Sequence, residues 1–278
     1  MRPKNVVSTL IILFLMGTVF FYEPLYGFSE LETVTRLMEM RSAPHLSQES
    51  KRLAEILNQA VRFYQSVRDY KAVFYKMERS EKGEPEPVEK IFLKFEKPWK
   101  IYMKWLNTEK KGLEVVYEKG KNKGKLVIHQ PRLLFGLAPV IFLDRKSPWV
   151  QQGSASYNIE DAGIGAFLFD FTSAVVQASR DKKIKVNFHG KRKFKDIFVE
   201  KWEVIFPESQ NKPGFFAYRV VVFFDEKNHL PVQMELLNWQ NETTGIYQYK
   251  DLKINVGKDP EFKKEINRHL YKVYNRGR

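Results

Sequence analysis

Two periods divide the chain. From about residue 29 to 67 apolar side chains recur every three or four positions, and from Tyr70 onward they recur mostly at every second one. Ser29-Glu30-Leu31-Glu32 reads as a capping box, a serine that accepts from a backbone N–H while a glutamate three residues on reaches back. The helix it opens carries Leu31, Val34, Leu37 and Met38, runs to about Met40, and stops at Ser42-Ala43-Pro44. A second helix is predicted from Ser47 to about Val67, because Leu53, Ile56, Leu57, Ala60, Val61, Tyr64 and Val67 form one stripe.

Alternation is clearest in Trp99-Lys100-Ile101-Tyr102-Met103-Lys104-Trp105, and it predicts a strand with one apolar face. The same pattern places strands at Ile91 to Phe95, Leu113 to Tyr117, Leu126 to Ile128 and Ile184 to Phe188. It continues at Trp202 to Phe206, Phe216 to Phe224, Val232 to Leu236 and Tyr247 to Tyr249. Turn residues fall between them at Gly83 to Pro87, Lys97-Pro98, Gly120 to Gly124, Gly190, Pro207 to Gly214 and Asp225 to Pro231, which predicts strands joined in order as a meander. One helix interrupts the series, with Asn158 as its cap and Phe167, Leu168, Phe171, Ala174, Val175 and Ala178 at helical spacing; Gly163 and Gly165 weaken its first turns. The apolar run Leu133 to Leu143 before it is strand or lid loop. Asp259-Pro260-Glu261-Phe262 reads as the start of a last short helix. Several strands also carry apolar residues on the second face, namely Val116, Val127, Ile205, Val221 and Phe223. That asks for a sheet covered on both sides or curled around a cavity.

Composition sharpens this. With 278 residues, 43% of them hydrophobic and 14% aromatic, the chain can bury a large core and leans towards strands. Arg2 and Lys4 precede an uncharged apolar stretch from Val6 to Phe21, which reads as an export signal over residues 1–27, cleaved near Gly27 or retained as an inner-membrane anchor. Residues 28–46 then form a short helix and linker, and 47–278 a single domain. Export makes the expected location the periplasm. The absence of cysteine excludes disulfides, thiolate metal sites and a lipidated cysteine. The net charge of +14 is spread over nearly every segment; it suits an anionic membrane surface, and export argues against nucleic acid.

Chemistry is hard to find. His45, His129, His189, His229 and His269 are far apart with no ligand spacing around them, and Gly153-Ser154-Ala155-Ser156 lacks the closing glycine of a nucleophile elbow. Gly120 to Gly124 is a hairpin turn and no phosphate loop, and Asp144, Asp161, Asp170 and Asp225 show no pairing. No catalytic residue, metal or cofactor is expected.

Tyr70 to Arg79, Lys94-Phe95-Glu96-Lys97-Pro98-Trp99-Lys100-Ile101-Tyr102-Met103-Lys104-Trp105, Gly112 to Tyr117 with Gly120-Lys121-Asn122, Ile159 to Ile164, and Tyr249 to Asn255 before Glu261-Phe262 occur in an order that resembles a bacterial family known as domain of unknown function 1571. Asn267 to Val273 departs from that family's ending. The family is similar in fold to the LolA-like and LolB-like periplasmic lipoprotein carriers, which implies an α+β, mainly antiparallel fold, a curved half-barrel covered by a few helices. The implied function is binding or carriage of a lipid, an acyl chain or an acylated protein in the cell envelope. On this reading Trp99, Ile101, Met103, Trp105, Trp202, Val204, Tyr218, Val220 and Met234 line an apolar concavity. Leu53, Leu57, Tyr64, Phe167, Phe171 and Val175 belong to the helices over it, while Lys100, Lys104 and Arg219 sit at its rim. The alternatives are a structural or adaptor protein of the envelope, whose concave face is filled by its own side chains, and an enzyme acting on envelope lipid or glycan.

Overall fold

Alternation in the β-rich part resolves into eleven antiparallel strands: β1 Asp69–Glu78, β2 Glu89–Glu96, β3 Lys100–Trp105, β4 Glu114–Glu118, β5 Leu126–His129, β6 Val140–Leu143, β7 Lys185–Phe194, β8 Ile197–Ile205, β9 Arg219–Asp225, β10 Pro231–Leu237 and β11 Thr243–Ile254. Among the described residues four α-helices accompany them, α1 Glu30–Ser42, α2 Gln48–Ser66, α3 Ile164–Arg180 and α4 Arg268–Arg276. The structure is a computed structural model and describes residues 30–80, 83–131, 140–144, 163–180, 183–207, 215–257 and 266–276.

The spatial order is β6-β5-β4-β3-β2-β1-β11-β10-β9-β8-β7. The strands form two meanders, β1 to β6 and β7 to β11, and the antiparallel pairing of β1 with β11 joins them. This corrects the expectation of strands joined in order throughout. Among the described residues β6 and β7 each pair on one side only, so the sheet does not close and the architecture is an open half-barrel. One expected turn is also corrected. Gly190 does not end β7; it takes φ +84 inside a bulge between Phe188 and Lys191, and the strand runs on to a reversal at Lys195 and Asp196.

The inner face packs against α1, α2 and α3 in one cluster that includes Leu37, Leu57, Val61, Leu93, Met103, Phe171, Val204 and Val222. Helix α2 starts where the pattern predicts, since Ser47 Oγ accepts from Ser50 N at 3.1 Å. In α1 the buried stripe includes Leu37 and Met40, and Met38 faces out instead of in. The capping box at Ser29, the cap Asn158 and the helix start at Asp259 lie outside the described residues.

Helix α3 explains the glycines that weaken its start. Gly165 lies so close to the Tyr64 ring that a Cβ there would overlap the phenol, and Gly163, at φ +115, leaves room for the Tyr70 hydroxyl. That hydroxyl accepts from Ile164 N at 3.1 Å. Low helix propensity is accepted here so that the helix can land on the sheet.

The outer face has its own cover. Helix α4, which the sequence pattern did not predict, starts where Asn267 Oδ1 accepts from His269 N at 2.8 Å and Leu270 N at 3.2 Å. Leu270 and Tyr274 then seat it on Tyr102, Val116 and Val127. Val221 and Phe223 join a second outer cluster with Val199, Val232 and Leu237. These two buried clusters account for the second-face apolar residues except Ile205, which stays partly exposed.

Candidate functional site on the inner face

Register orders the inner face into transverse rows. Glu89, Lys76, Tyr247, Met234, Val222, Trp202 and Phe188 are successive partners from β2 to β7. The next row toward the β10–β11 turn runs Glu78, Gly245, Leu236, Val220, Val204 and Val186. Within a single row the chemistry passes from ions through an aromatic ring to hydrocarbon.

The residues expected to line a concavity all lie on or beside this face, in two groups. Ile101, Met103 and Trp105 alternate along β3, with Trp99 edge-on to Phe95 at 5.7 Å. Trp202, Val204, Val220 and Met234 sit on β8, β9 and β10, whereas Tyr218 precedes β9, half-buried, with its ring 6.4 Å from Trp239. Above them Leu53 and Leu57 of α2 and Phe171 and Val175 of α3 are fully buried, with Tyr64 and Phe167 nearly so. The chain's own atoms fill the space: Trp105 is 1% exposed, and Trp202 and Phe171 are 0%, so no water-sized gap adjoins them. Lys100, Lys104 and Arg219 do not rim this face. They alternate onto the outer side, beside Glu96 at 3.3 Å, Glu114 at 3.5 Å and Glu203 at 3.2 Å.

Between the two groups lies a polar feature that motif reading missed. Lys76 and Glu78 of β1, Glu89 of β2 and Lys110 of the β3–β4 loop are all buried. Glu89 binds Lys110 through Oε1, and its Oε2 accepts from Trp105 Nε1 at 3.2 Å with Lys76 Nζ at 3.9 Å. Glu78 Oε1 accepts from Tyr247 Oη at 2.7 Å. Its Oε2 has Lys76 Nζ at 3.1 Å, an ion pair by distance, yet no hydrogen bond of good angle. Burial, only partly offset by Lys76, lifts the Glu78 carboxyl from 4.5 to about 7. The signal was present in the parity of β1 and β2, since Tyr70, Ala72 and Phe74 share a face with Lys76 and Glu78, and Ile91, Leu93 and Phe95 share one with Glu89. Farther up, burial and the neighbouring phenols raise Tyr70 and Tyr249 well above their ordinary range, so both stay protonated.

A second charged contact closes the β7 side. Arg52 of α2 binds Glu200 at 3.1 Å, and Trp202 Nε1 donates to the other oxygen of that carboxylate at 3.1 Å. The guanidinium lies 4.1 Å from the centre of the Phe188 ring. Beside it a cleft of about 630 Å³ opens between the start of α2 and β7, lined by Ser47, Arg52, Lys185, Val186 and Phe188 among others. The arrangement offers apolar packing and paired ions. Among the described residues no group of three or more His, Cys, Asp or Glu could hold a metal ion.

No curated protein matches the chain in sequence. Among solved structures it is similar to an uncharacterized conserved protein from Thermus thermophilus, with 8% identity, TM-score 0.41, and 79% of this chain and 96% of that one covered. It is also similar to a putative outer membrane lipoprotein-sorting protein domain from Vibrio parahaemolyticus, with 14% identity, TM-score 0.33, and coverage of 76% and 96%. A third is the Mycobacterium tuberculosis lipoprotein LppX, with 10% identity, TM-score 0.42, and coverage of 74% and 96%. No residue of the inner face takes a role from these likenesses. The family model described as "Protein of unknown function (DUF1571)" matches residues 67–268, and the chain belongs to that family.

Proposed function

We propose that this protein is an exported, non-catalytic binding protein of the bacterial cell envelope, which takes up a lipid or acyl chain, free or attached to a protein, between the inner face of its half-barrel and the helices over it. The observation that carries the reading is the cover itself. Helices α1, α2 and α3 meet the sheet mainly through hydrocarbon and aromatic side chains, with few polar ties such as Arg52 to Glu200 and Ile164 N to Tyr70. Such contacts are non-directional, so an acyl chain can replace them without leaving hydrogen bonds unmade, and each methylene buried contributes ~0.8 kcal/mol. Uptake on this reading moves the helices outward.

A second reading has its own support. The inner face is already filled by the chain's own side chains, as an adaptor with no small-molecule ligand would require. One experiment separates the two. Trp149 and the exposed Trp239 are both replaced by Phe, and tryptophan emission is followed as fatty acids brominated at mid-chain are added, alongside native mass spectrometry of protein purified from membranes. Carriage predicts a co-purifying lipid and saturable quenching as bromine approaches Trp99, Trp105 and Trp202. An adduct-free protein whose emission the brominated chain leaves unchanged would refute carriage and leave the adaptor.

A further inference from the structure

β7, the last strand on its side of the sheet, has one edge in use. It pairs with β8, and among the described residues its other edge makes no backbone hydrogen bond. Five consecutive residues, Ile184 to Phe188, line the cleft of about 630 Å³ whose other wall is the start of α2. Successive side chains of a strand point to opposite faces, so a run of neighbours along one cleft means that the cleft follows the backbone edge and not a single face. On the helix side Val186 is buried, and Phe188 is half-buried with its ring 4.7 Å from that of Trp202. Lys185 and Asn187 are exposed on the opposite side.

Free edges are ordinarily guarded by shortness, by charge or by a bulge. The opposite edge strand, β6, is four residues long. β7 has ten residues and carries its guards late, in the bulge at Gly190 and in Lys191, Arg192 and Lys193 beyond it. Ahead of the bulge the edge runs beside the open cleft. The carboxylates of the neighbouring strands are engaged within the fold: Glu200 binds Arg52, Glu203 binds Arg219 and the Asn187 amide, and Glu226 binds Lys191. Among the described residues Lys51, Lys183 and Lys185 make no ion pair, and Glu49 is the acid in the cleft. The flanking stretches 181–182 and 208–214 each bring one acid and one lysine, Asp181 with Lys182 and Glu208 with Lys212, and leave the balance basic.

We infer that the β7 edge from Ile184 to His189 receives an extended segment of another protein as an added strand. Backbone pairing with β7 supplies the register, and the side chains supply the choice of partner. Neighbours across a strand pair share a face, so residues of the segment on the helix side meet Val186 and Phe188 and are apolar, while those on the other side meet Lys185 and are acidic. The partner is therefore a segment in which apolar and acidic residues alternate. A second copy of this chain fits worse, because its own β7 would set further lysines against Lys185. The inference does not depend on what the inner face holds.

The test uses the full-length protein and two short acetylated peptides, one alternating valine with glutamate and one alternating valine with lysine. Binding is read by fluorescence anisotropy and backbone protection by hydrogen-exchange mass spectrometry. The glutamate peptide should bind saturably, more tightly than the lysine peptide, and slow exchange within residues 184–189. Methylating its valine nitrogens or its glutamate nitrogens should abolish binding in one case and spare it in the other, since only one row of amides faces the edge. Lys185→Glu should weaken the glutamate peptide about tenfold and turn the preference towards the lysine peptide. Lys227→Glu, on the β9–β10 turn, should leave both unchanged. Absence of binding, protection elsewhere than on β7, indifference to both methylations, an equal loss in the Lys227 variant, or protection of 184–189 by self-association without peptide would overturn the inference.

Discussion

The two ends of one inner-face row behave as different materials. At the β8–β9 end Trp202 and Val222 lie under α2 and α3 as part of an apolar core, while at the β1–β2 end Lys76 and Glu89 lie in a network that also holds Glu78 and Lys110. Apolar packing tolerates exchange of partners, because its strength scales with area and not direction. A buried ion does not, since it depends on particular donors at particular distances. A ligand entering the half-barrel would therefore displace hydrocarbon easily from one side and meet a fixed polar frame on the other. Glu78, with one oxygen short of a hydrogen bond, is the weakest member of that frame.

Each end of the row can be perturbed separately. Phe171→Ala, at the apolar end, should lose about 4 kcal/mol of unfolding free energy in urea titration, from lost transfer energy plus the cavity left behind. At the polar end Lys110→Ala should lose about 3 kcal/mol, because it strands the Glu89 carboxylate in the core. Glu89→Leu with Lys110→Met should recover most of that loss, so a double variant as unstable as the single one would contradict the account of the frame.

The Glu78 shift gives a signed pH dependence. Folding raises its carboxyl from 4.5 to about 7, so the folded state binds the proton more tightly. Its contribution to stability is complete below pH 4.5 and is lost as pH rises to about 7, a change of order 3 kcal/mol. Denaturant midpoints measured across that window should show the decline, and Glu78→Gln should flatten it. The smallest effect belongs to the lid: Ser47→Ala removes the cap of α2 and should cost about 1 kcal/mol in the same titration.

Much of this was legible early. The stripe from Leu53 to Val67 and the alternation from Trp99 to Trp105 report local backbone geometry, and both elements form where those periods place them. Helix α4 was harder to see because it has only Leu270, Tyr271, Val273 and Tyr274 to mark an apolar side, too few for a period. Its cap, Asn267, was the usable sign. The Gly190 bulge escaped because a glycine with positive φ serves a turn and a bulge equally well. The ionic frame was missed for another reason: its members lie far apart in the chain except for Lys76 and Glu78, and no motif spans them.

The order of amino acids was enough to fix which side of most strands would be apolar, where α2 would start, and that no cysteine chemistry is available. The three-dimensional arrangement was needed to show that β1 pairs with β11, that the inner face is filled by the chain's own side chains, and that Glu78, Glu89, Lys76 and Lys110 converge. The physical reason is range. Side-chain alternation is a property of neighbouring peptide units, whereas register between distant strands is set by the burial of the whole sheet at once.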